Sequence, residues 1–219
     1  MNNTIILFVV EDSLRDISRH FRVFAGNLIN MYKNVKLIYL FVSDKKNEKV
    51  LEEYEKTFNS QVDDFMKNPI VIESFEKFQI IWNPLELDPK QTKSNADEII
   101  QQIRAQIKKC EAEQQEVKFA ILLDLILFIP DDINAIYSEK KCVLSHQLLK
   151  SDYNSKIITY SQFTPADITK EWIEIAGDFA PKEPEPFQRT EIFPSNGSLF
   201  IAFSKRLNEV IERGLADEH

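Results

Sequence analysis

The chain has 219 residues, of which 43% are hydrophobic, and it carries a net charge of -8 at pH 7. That length and composition suit one large domain with a buried core, or one domain with a sizeable insertion. An acidic chain without a stripe of Lys and Arg interleaved with aromatics does not match a polyanion, so we expect no nucleic acid partner. Its four scattered glycines exclude a Walker loop and a GxGxxG dinucleotide turn.

The sequence also indicates where the protein is located and whether its cysteines could bind zinc. The N-terminus lacks the features of a secretory signal, and no apolar run approaches the roughly 20 residues that span a bilayer. We therefore expect a cytoplasmic protein with no membrane partner. Cys110 and Cys142 have no CxxC spacing and no nearby His, which indicates reduced structural thiols rather than a zinc site.

Along the chain, short apolar segments alternate with longer amphipathic ones. Strands are predicted at TIILFVV, VKLIYLFV, within PIVIESFEKFQIIWNPLEL, and at VKFAILLDLILF, SKIITYS and DFAP. Helices are predicted over residues 14–33, 45–67, 94–115, 132–150, 165–177 and 198–215. Near-continuous apolar strands separated by amphipathic helices predict an α/β fold whose parallel sheet is covered on both faces, as in a doubly wound protein.

Three acidic residues lie at the ends of these strands. Glu11 and Asp12 directly follow the first apolar run, and Asp124 comes near the end of FAILLDLILF. Since parallel sheets place their chemistry at the carboxyl ends of the strands, we expect the three to converge. Crowded carboxylates repel one another unless a cation shares the site, and oxygen-only ligands favour Mg²⁺, which completes its shell with phosphate oxygens. Glu11, Asp12 and Asp124 are the predicted metal ligands.

Two further residues have suitable chemistry at strand ends. Ser161 closes SKIITYS, where its hydroxyl could bond a phosphoryl oxygen, and Lys182 follows DFAP, where its ammonium could pair with that charge. In order, VVEDS, LLDL, IITYS and DFAPK resemble the acidic pair, phosphoacceptor Asp, Ser/Thr and Lys of response-regulator receiver domains, the CheY-like family.

The resemblance implies a flavodoxin-like fold and a role in two-component signalling. Asp124 would accept a phosphoryl group from a histidine kinase or phosphotransfer protein with Mg²⁺ present. Glu11 and Asp12 would hold the metal, Ser161 would be the switch hydroxyl, and Lys182 would contact the phosphate. The absence of a recognisable DNA-binding segment after Lys182 implies output through a downstream protein partner.

The chain departs from the family pattern in four places. The segment between Asp12 and Asp124 is about 60 residues longer than the family pattern needs. We therefore predict an inserted α/β segment at approximately 44–95. A smaller insertion is predicted at approximately 183–197. The loop after Asp124 has Pro130 in place of an earlier Pro and lacks Gly, and Glu183 separates Lys182 from Pro184.

Other functions remain open at this point. One is a pseudo-receiver that kept the fold, lost phosphotransfer and acts only by binding proteins. Another is a Mg²⁺-dependent phosphohydrolase with Asp124 as nucleophile, although the acid often found two residues later is Ile126 here. Ser13 or Asp12 could also simply cap a helix.

Two structural predictions complete the interpretation. The sheet is predicted to have five strands in the order 2-1-3-4-5, with the larger insertion emerging after the second strand. That insertion carries Tyr54, Phe58 and Phe65 at helical spacing, with Phe78 and Trp82 nearby. So much apolar surface predicts that it packs on the domain and forms a partner-binding or homodimer face.

Overall fold

A computed structural model describes residues 3–14, 17–44, 48–88, 91–113, 116–124, 127, 143–161, 187–188 and 200–213. Its strands are β1 (Asn3–Glu11), β2 (Asn34–Asp44), β3 (Lys77–Leu87), β4 (Glu116–Asp124), β5 (Ile157–Ser161) and β6 (Phe187–Gln188). Its helices are α1 (Ile17–Leu28), α2 (Glu48–Met66), α3 (Pro69–Ser74), α4 (Thr92–Ala112), α5 (Val143–Leu149) and α6 (Phe200–Glu212), and a 3₁₀ turn spans Asn154–Lys156.

The strands form one parallel sheet with helices on both faces, as the alternating pattern predicted. The central strand β1 is continuously apolar from Ile5 to Val10 because all six of these residues are fully buried, at 0% exposure. Its even-numbered side chains join a core with α4 and α5. Its odd-numbered side chains join a second core with α1, α2 and α6. Burial on both faces keeps this run apolar, and the buried polar residues of β1, Thr4 and Glu11, lie near the two ends of the strand.

The predicted strand order 2-1-3-4-5 is wrong, because the sheet has six strands in the order β3-β2-β1-β4-β5-β6. The difference comes from β3, which lies within the segment predicted to be inserted. This strand has 11 residues and pairs with β2 along its whole length. It therefore extends the sheet on the far side of β2 instead of forming a separate unit.

The segment between β2 and α4 packs on the domain as predicted. Phe58 and Phe65 of α2 and Phe78 of β3 are at most 8% exposed, and all three belong to the core that contains α1. At the start of the segment PIVIESFEKFQIIWNPLEL, where a strand was possible, the chain forms the helix α3. This helix exposes Ile70 and Ile72, each at 63%. The boundaries of both insertions and the partner-binding or dimer role stay predictions. Of the smaller insertion, only residues 187–188 are described.

The last helix is fixed to the sheet by charged side chains. Lys156, which is 4% exposed, donates from Nζ to the carbonyl oxygens of Val210 and Ile211, both at 3.1 Å. These are carbonyls of the last turn of α6, which have no partner within the helix. Nearby, Glu212 accepts hydrogen bonds from Lys118 of β4 and from the Tyr32 hydroxyl. The C-terminal end of α6 is therefore tied to both β4 and the segment after α1.

Glu212→Gln should reduce stability more at neutral pH than at low pH. The hydrogen bond from Lys118 holds the pKa of Glu212 below its usual value, with the Tyr32 bond acting in the same direction. A carboxyl whose pKa is lowered on folding stabilises the protein above its unfolded pKa of about 4.3, and that contribution disappears as pH falls through the folded pKa. Because the side chain is 50% exposed, we expect a loss of only about 0.5 kcal/mol at pH 7.

Urea unfolding of the parent and variant at pH 7 and pH 3 measures this contribution. Glu98→Gln, at an exposed position of α4, is the matched control and should show no such pH-dependent difference. An equal deficit of the Glu212 variant at both pH values would contradict the assignment.

No helix within the described part of the chain is both long enough and apolar enough to cross a membrane.

Candidate functional site

The first and fourth strands bring the predicted acids to one edge of the sheet. Val10 of β1 lies beside Leu123 of β4 in the parallel register, so Glu11 and Asp124 follow at neighbouring strand ends. β1 and β4 also mark the point where the strand order reverses, with β2 and β3 on one side and β5 and β6 on the other. Ligands of open α/β sheets bind outside the carboxyl ends of strands at this switch point.

Glu11, Asp12 and Asp124 form one cluster. Each offers a carboxylate oxygen, and the three atoms lie within 4.8 Å of one another. Glu11 is 0% exposed and Asp124 is 2% exposed, whereas Asp12 is half-buried. The convergence predicted from the sequence is therefore present, and the cluster reaches solvent through Asp12.

The buried carboxylate of Glu11 has an identifiable structural environment. Its Oε1 accepts hydrogen bonds from the backbone N–H groups of Asp12 and Ser13, both at 3.2 Å. Its Oε2 accepts a 2.6 Å hydrogen bond from the hydroxyl of Tyr160 on β5. These contacts lower the cost of burying the charge and orient the carboxylate. They also fix the turn that follows β1.

Tyr160→Phe should destabilise the protein without altering its packing volume. The substitution removes the hydroxyl that bonds Glu11 and leaves a buried carboxylate oxygen without that donor. A hydrogen bond to a charged group contributes about 1.5–3 kcal/mol, so we expect a loss in that range. Equilibrium urea unfolding gives the value.

Tyr153→Phe is the matched control, because Tyr153 is also buried at 8% exposure and its hydroxyl makes no hydrogen bond to a described residue. Its effect should stay within about 0.5 kcal/mol. Similar values for the two variants would show that the Glu11 contact contributes nothing to stability.

Asp124 is held in place at its backbone by a residue that the sequence interpretation missed. The hydroxyl of Ser145 on α5, which is 0% exposed, donates to the Asp124 carbonyl oxygen at 3.1 Å. Tyr160 was also missed, although strand alternation offered a signal. Residues of β5 alternate between the two cores, and Tyr160 joins the core of Val9 and Leu122, on the face to which Glu11 and Asp124 belong. No comparable sequence signal indicated Ser145.

The other two predicted site residues have different outcomes. Ser161 is the last residue of β5, and its backbone is in register with Gln188 of β6. It therefore lies at the carboxyl end of a strand adjacent to β4, as predicted, while its role stays a prediction. Lys182 lies outside the described residues, as does the predicted strand DFAP.

The three carboxylates could hold a metal ion. Mg²⁺ binds oxygen ligands at about 2.0–2.1 Å in an octahedron, which places ligand oxygens about 3–4.2 Å apart. The three carboxylate oxygens lie within 4.8 Å of one another, so they could converge on one metal ion. The described cluster contains neither His nor Cys, the ligands that would favour zinc.

The strand order alone would also suit a dinucleotide-binding sheet. Such a site needs a glycine-rich turn after β1 so that the pyrophosphate can approach the backbone. Here β1 is followed by Asp12, Ser13 and Leu14, and the first glycine in the chain is Gly26 within α1. The carboxylates and the missing glycines distinguish this site from that class.

Comparison of the sequence with models of known protein families gives no match. Comparison with curated proteins likewise finds no relative of this chain.

Proposed function

We propose that this protein is a divergent receiver domain of two-component signalling, which accepts a phosphoryl group on Asp124 in a Mg²⁺-dependent step. The observation that carries the proposal is the convergence of Glu11, Asp12 and Asp124 at the switch point of a doubly wound sheet. The order of the motifs VVEDS, LLDL, IITYS and DFAPK supports it.

Each residue has a defined role in the proposed reaction. A carboxylate oxygen of Asp124 attacks the phosphorus of the donor, a P–O or P–N bond to the leaving group breaks, and an acyl phosphate forms. Glu11 and Asp12 would hold the cation, with Glu11 oriented by Tyr160. Mg²⁺ held there would offset the negative charge of the carboxylates and phosphoryl oxygens. Ser161 and Lys182 keep the roles of switch hydroxyl and phosphate partner that the resemblance implies.

The proposed partners follow from the same chemistry. A histidine kinase or phosphotransfer protein would supply the phosphoryl group, and a downstream protein would recognise the phosphorylated surface.

The phosphorylation experiment uses acetyl phosphate as a small donor. The protein is incubated with acetyl phosphate and Mg²⁺, and its intact mass is compared with that of Asp124→Asn. We expect the parent to gain the mass of one phosphoryl group, the gain to require Mg²⁺, and the variant to stay unmodified. Asp63→Asn, at an exposed position on α2, is the control and should be modified like the parent. Modification of Asp124→Asn to the same extent would exclude Asp124 as the acceptor.

A pseudo-receiver is the second candidate, and one observation favours it. Glu11 already accepts hydrogen bonds from two backbone N–H groups and from Tyr160, so its carboxylate serves the fold even without a cation. In this alternative the cluster is structural and the domain acts only through protein contacts. No mass gain in the parent, together with no Mg²⁺ binding at millimolar concentration, would support this alternative over phosphotransfer.

A further inference from the structure

A cavity of about 390 Å³ lies at the opposite end of the sheet from the carboxylate cluster. β1 pairs with β4 from Glu116 onward, whereas β5 pairs with β4 only from Ile121 onward. Among the described strands, the first five residues of β4 therefore have a neighbour on one side only. The cavity occupies this notch, between the end of α4, the 3₁₀ turn and the end of α6. Its volume falls within the range of about 300–1,000 Å³ typical of small-molecule sites.

The notch is positively charged in a chain that is negatively charged overall. Five cations and two carboxylates line it, an excess of three positive charges, whereas the whole chain carries -8. The cations are Arg104, Lys108, Lys118, Lys156 and Arg213. This excess of positive charge favours an anion.

Three of the five cations already have partners. Lys118 pairs with Glu212, Arg104 pairs with Asp152, and Lys156 donates to carbonyls of α6. Lys108 and Arg213, by contrast, form no ion pair with any described residue and are exposed. These two cations on different helix ends are available to bind an anionic group.

Beside these charged residues, part of the notch wall is apolar and aromatic. Phe119 and Tyr153 meet edge to face with ring centroids 5.6 Å apart. The Arg104 guanidinium lies 5.7 Å from the Tyr153 ring centroid, and Lys156 Nζ lies 5.2 Å from that of Phe119. Ile107 and Val117 also line the cavity. Such a wall suits a flat, apolar body rather than a bare inorganic ion.

From this combination, the geometry points to a second binding site, which takes a small organic anion with an aromatic body and a carboxylate or phosphate group. The aromatic body lies against the apolar wall, and the anionic group lies toward Lys108 and Arg213. The site is separate from the carboxylate cluster, because Lys118 and Asp124 are six residues apart on β4, or about 20 Å at 3.3 Å per residue. The inference does not depend on the proposed phosphotransfer.

The test uses three probes that share a naphthalene ring: 1-naphthyl phosphate, 1-naphthoate and the neutral 1-naphthalenemethanol. Binding to the full chain is followed by the fluorescence anisotropy of the probe. We expect saturable binding of one or both anions, with at least tenfold weaker binding of the neutral probe. The ratio between the two anions identifies whether phosphate or carboxylate is preferred. Equal affinity for the neutral probe, or no binding of either anion up to about 10 mM, would overturn the proposal.

Matched variants test the position of the anionic group. The double variant Lys108→Gln/Arg213→Gln should weaken anion binding at least tenfold, or about 1.4 kcal/mol, since it removes two charge-assisted hydrogen bonds to the anionic group. Lys67→Gln/Lys205→Gln removes the same charge at exposed positions outside the notch, where the lysine side chains are 74% and 79% exposed. This control should retain the parent affinity. Equal weakening in both double variants would show nonspecific electrostatic attraction instead of a site.

Discussion

Asp124→Asn is expected to stabilise the protein in the absence of divalent cations by about 1–3 kcal/mol and to remove its stabilisation by Mg²⁺. The reason is that three carboxylates meet within 4.8 Å, where one pair of like charges at an effective dielectric constant of 20 repels by about 3.5 kcal/mol. Hydrogen bonds and solvent around Asp12 offset part of this repulsion. The Ser145 bond is unaffected, because it reaches the backbone carbonyl of Asp124.

The parent should be stabilised by Mg²⁺, whereas the variant should not respond to it. A ligand that binds only the folded state adds about 1.4 kcal/mol at ten times its Kd. Urea unfolding with EDTA and with 10 mM Mg²⁺ measures both effects. The control Asp63→Asn should change stability by less than about 0.5 kcal/mol in either condition and keep the Mg²⁺ response. A destabilised Asp124 variant that still responds to Mg²⁺ would contradict the proposed cation site.

Phe21→Ala is expected to cost about 3–5 kcal/mol, a large part of the usual stability of a domain. Phe21 of α1 is 0% exposed. Its ring contacts Tyr39 of β2 and both Phe58 and Phe65 of α2, with centroid distances of 5.5–6.0 Å. Truncation therefore opens a cavity between the central sheet and the segment predicted to be inserted. Urea unfolding measures the loss, and Phe21→Leu, at about 1–2 kcal/mol, serves if the alanine variant does not fold.

A double-mutant cycle with Phe58→Leu tests whether α1 and α2 share one hydrophobic core or pack in two independent cores. Rings in contact should give a coupling of at least about 0.5 kcal/mol between Phe21→Leu and Phe58→Leu. Ile70→Ala, at an exposed position of α3, is the control and should change stability by less than about 0.5 kcal/mol. Additive effects of the two core substitutions would mean that α2 does not share the core of α1.

Much of the fold was predictable because parallel strands have a distinctive composition. The run Ile5–Val10 is fully buried on both faces of the sheet, and that burial is what makes such a strand continuously apolar. The same signal located β2, β4 and β5. The amphipathic periodicity between them located α1, α2 and α4, because each helix covers one face of the sheet.

The strand order was not predictable from the same signals. β3 contains Gln79, Asn83 and Pro84, and a strand at the edge of a sheet needs less apolar surface than a central one. The sequence pattern therefore resembles a short or interrupted strand, although 11 residues pair with β2. Its register and its position beyond β2 depend on tertiary contacts with α2, which no local pattern specifies.

The candidate site was also predictable only in part. The positions of Glu11, Asp12 and Asp124 followed from strand ends and the topology of parallel sheets. Their support by Tyr160 and Ser145 could not be derived, because it depends on which strand and helix end beside them. Strand alternation assigns Tyr160 to the same face of the sheet as Glu11 and Asp124, but only when the neighbours of β5 are known.

The most direct test of the account is whether a divalent cation binds where Glu11, Asp12 and Asp124 meet. Backbone ¹H–¹⁵N resonances are recorded while Mn²⁺ is added below stoichiometry, and Mg²⁺ is then added in excess. The account predicts selective broadening of the amide signals of these three residues and recovery with Mg²⁺, since the two ions share oxygen ligands. Broadening centred elsewhere, or no broadening at the ends of β1 and β4, would contradict a cation site at the switch point.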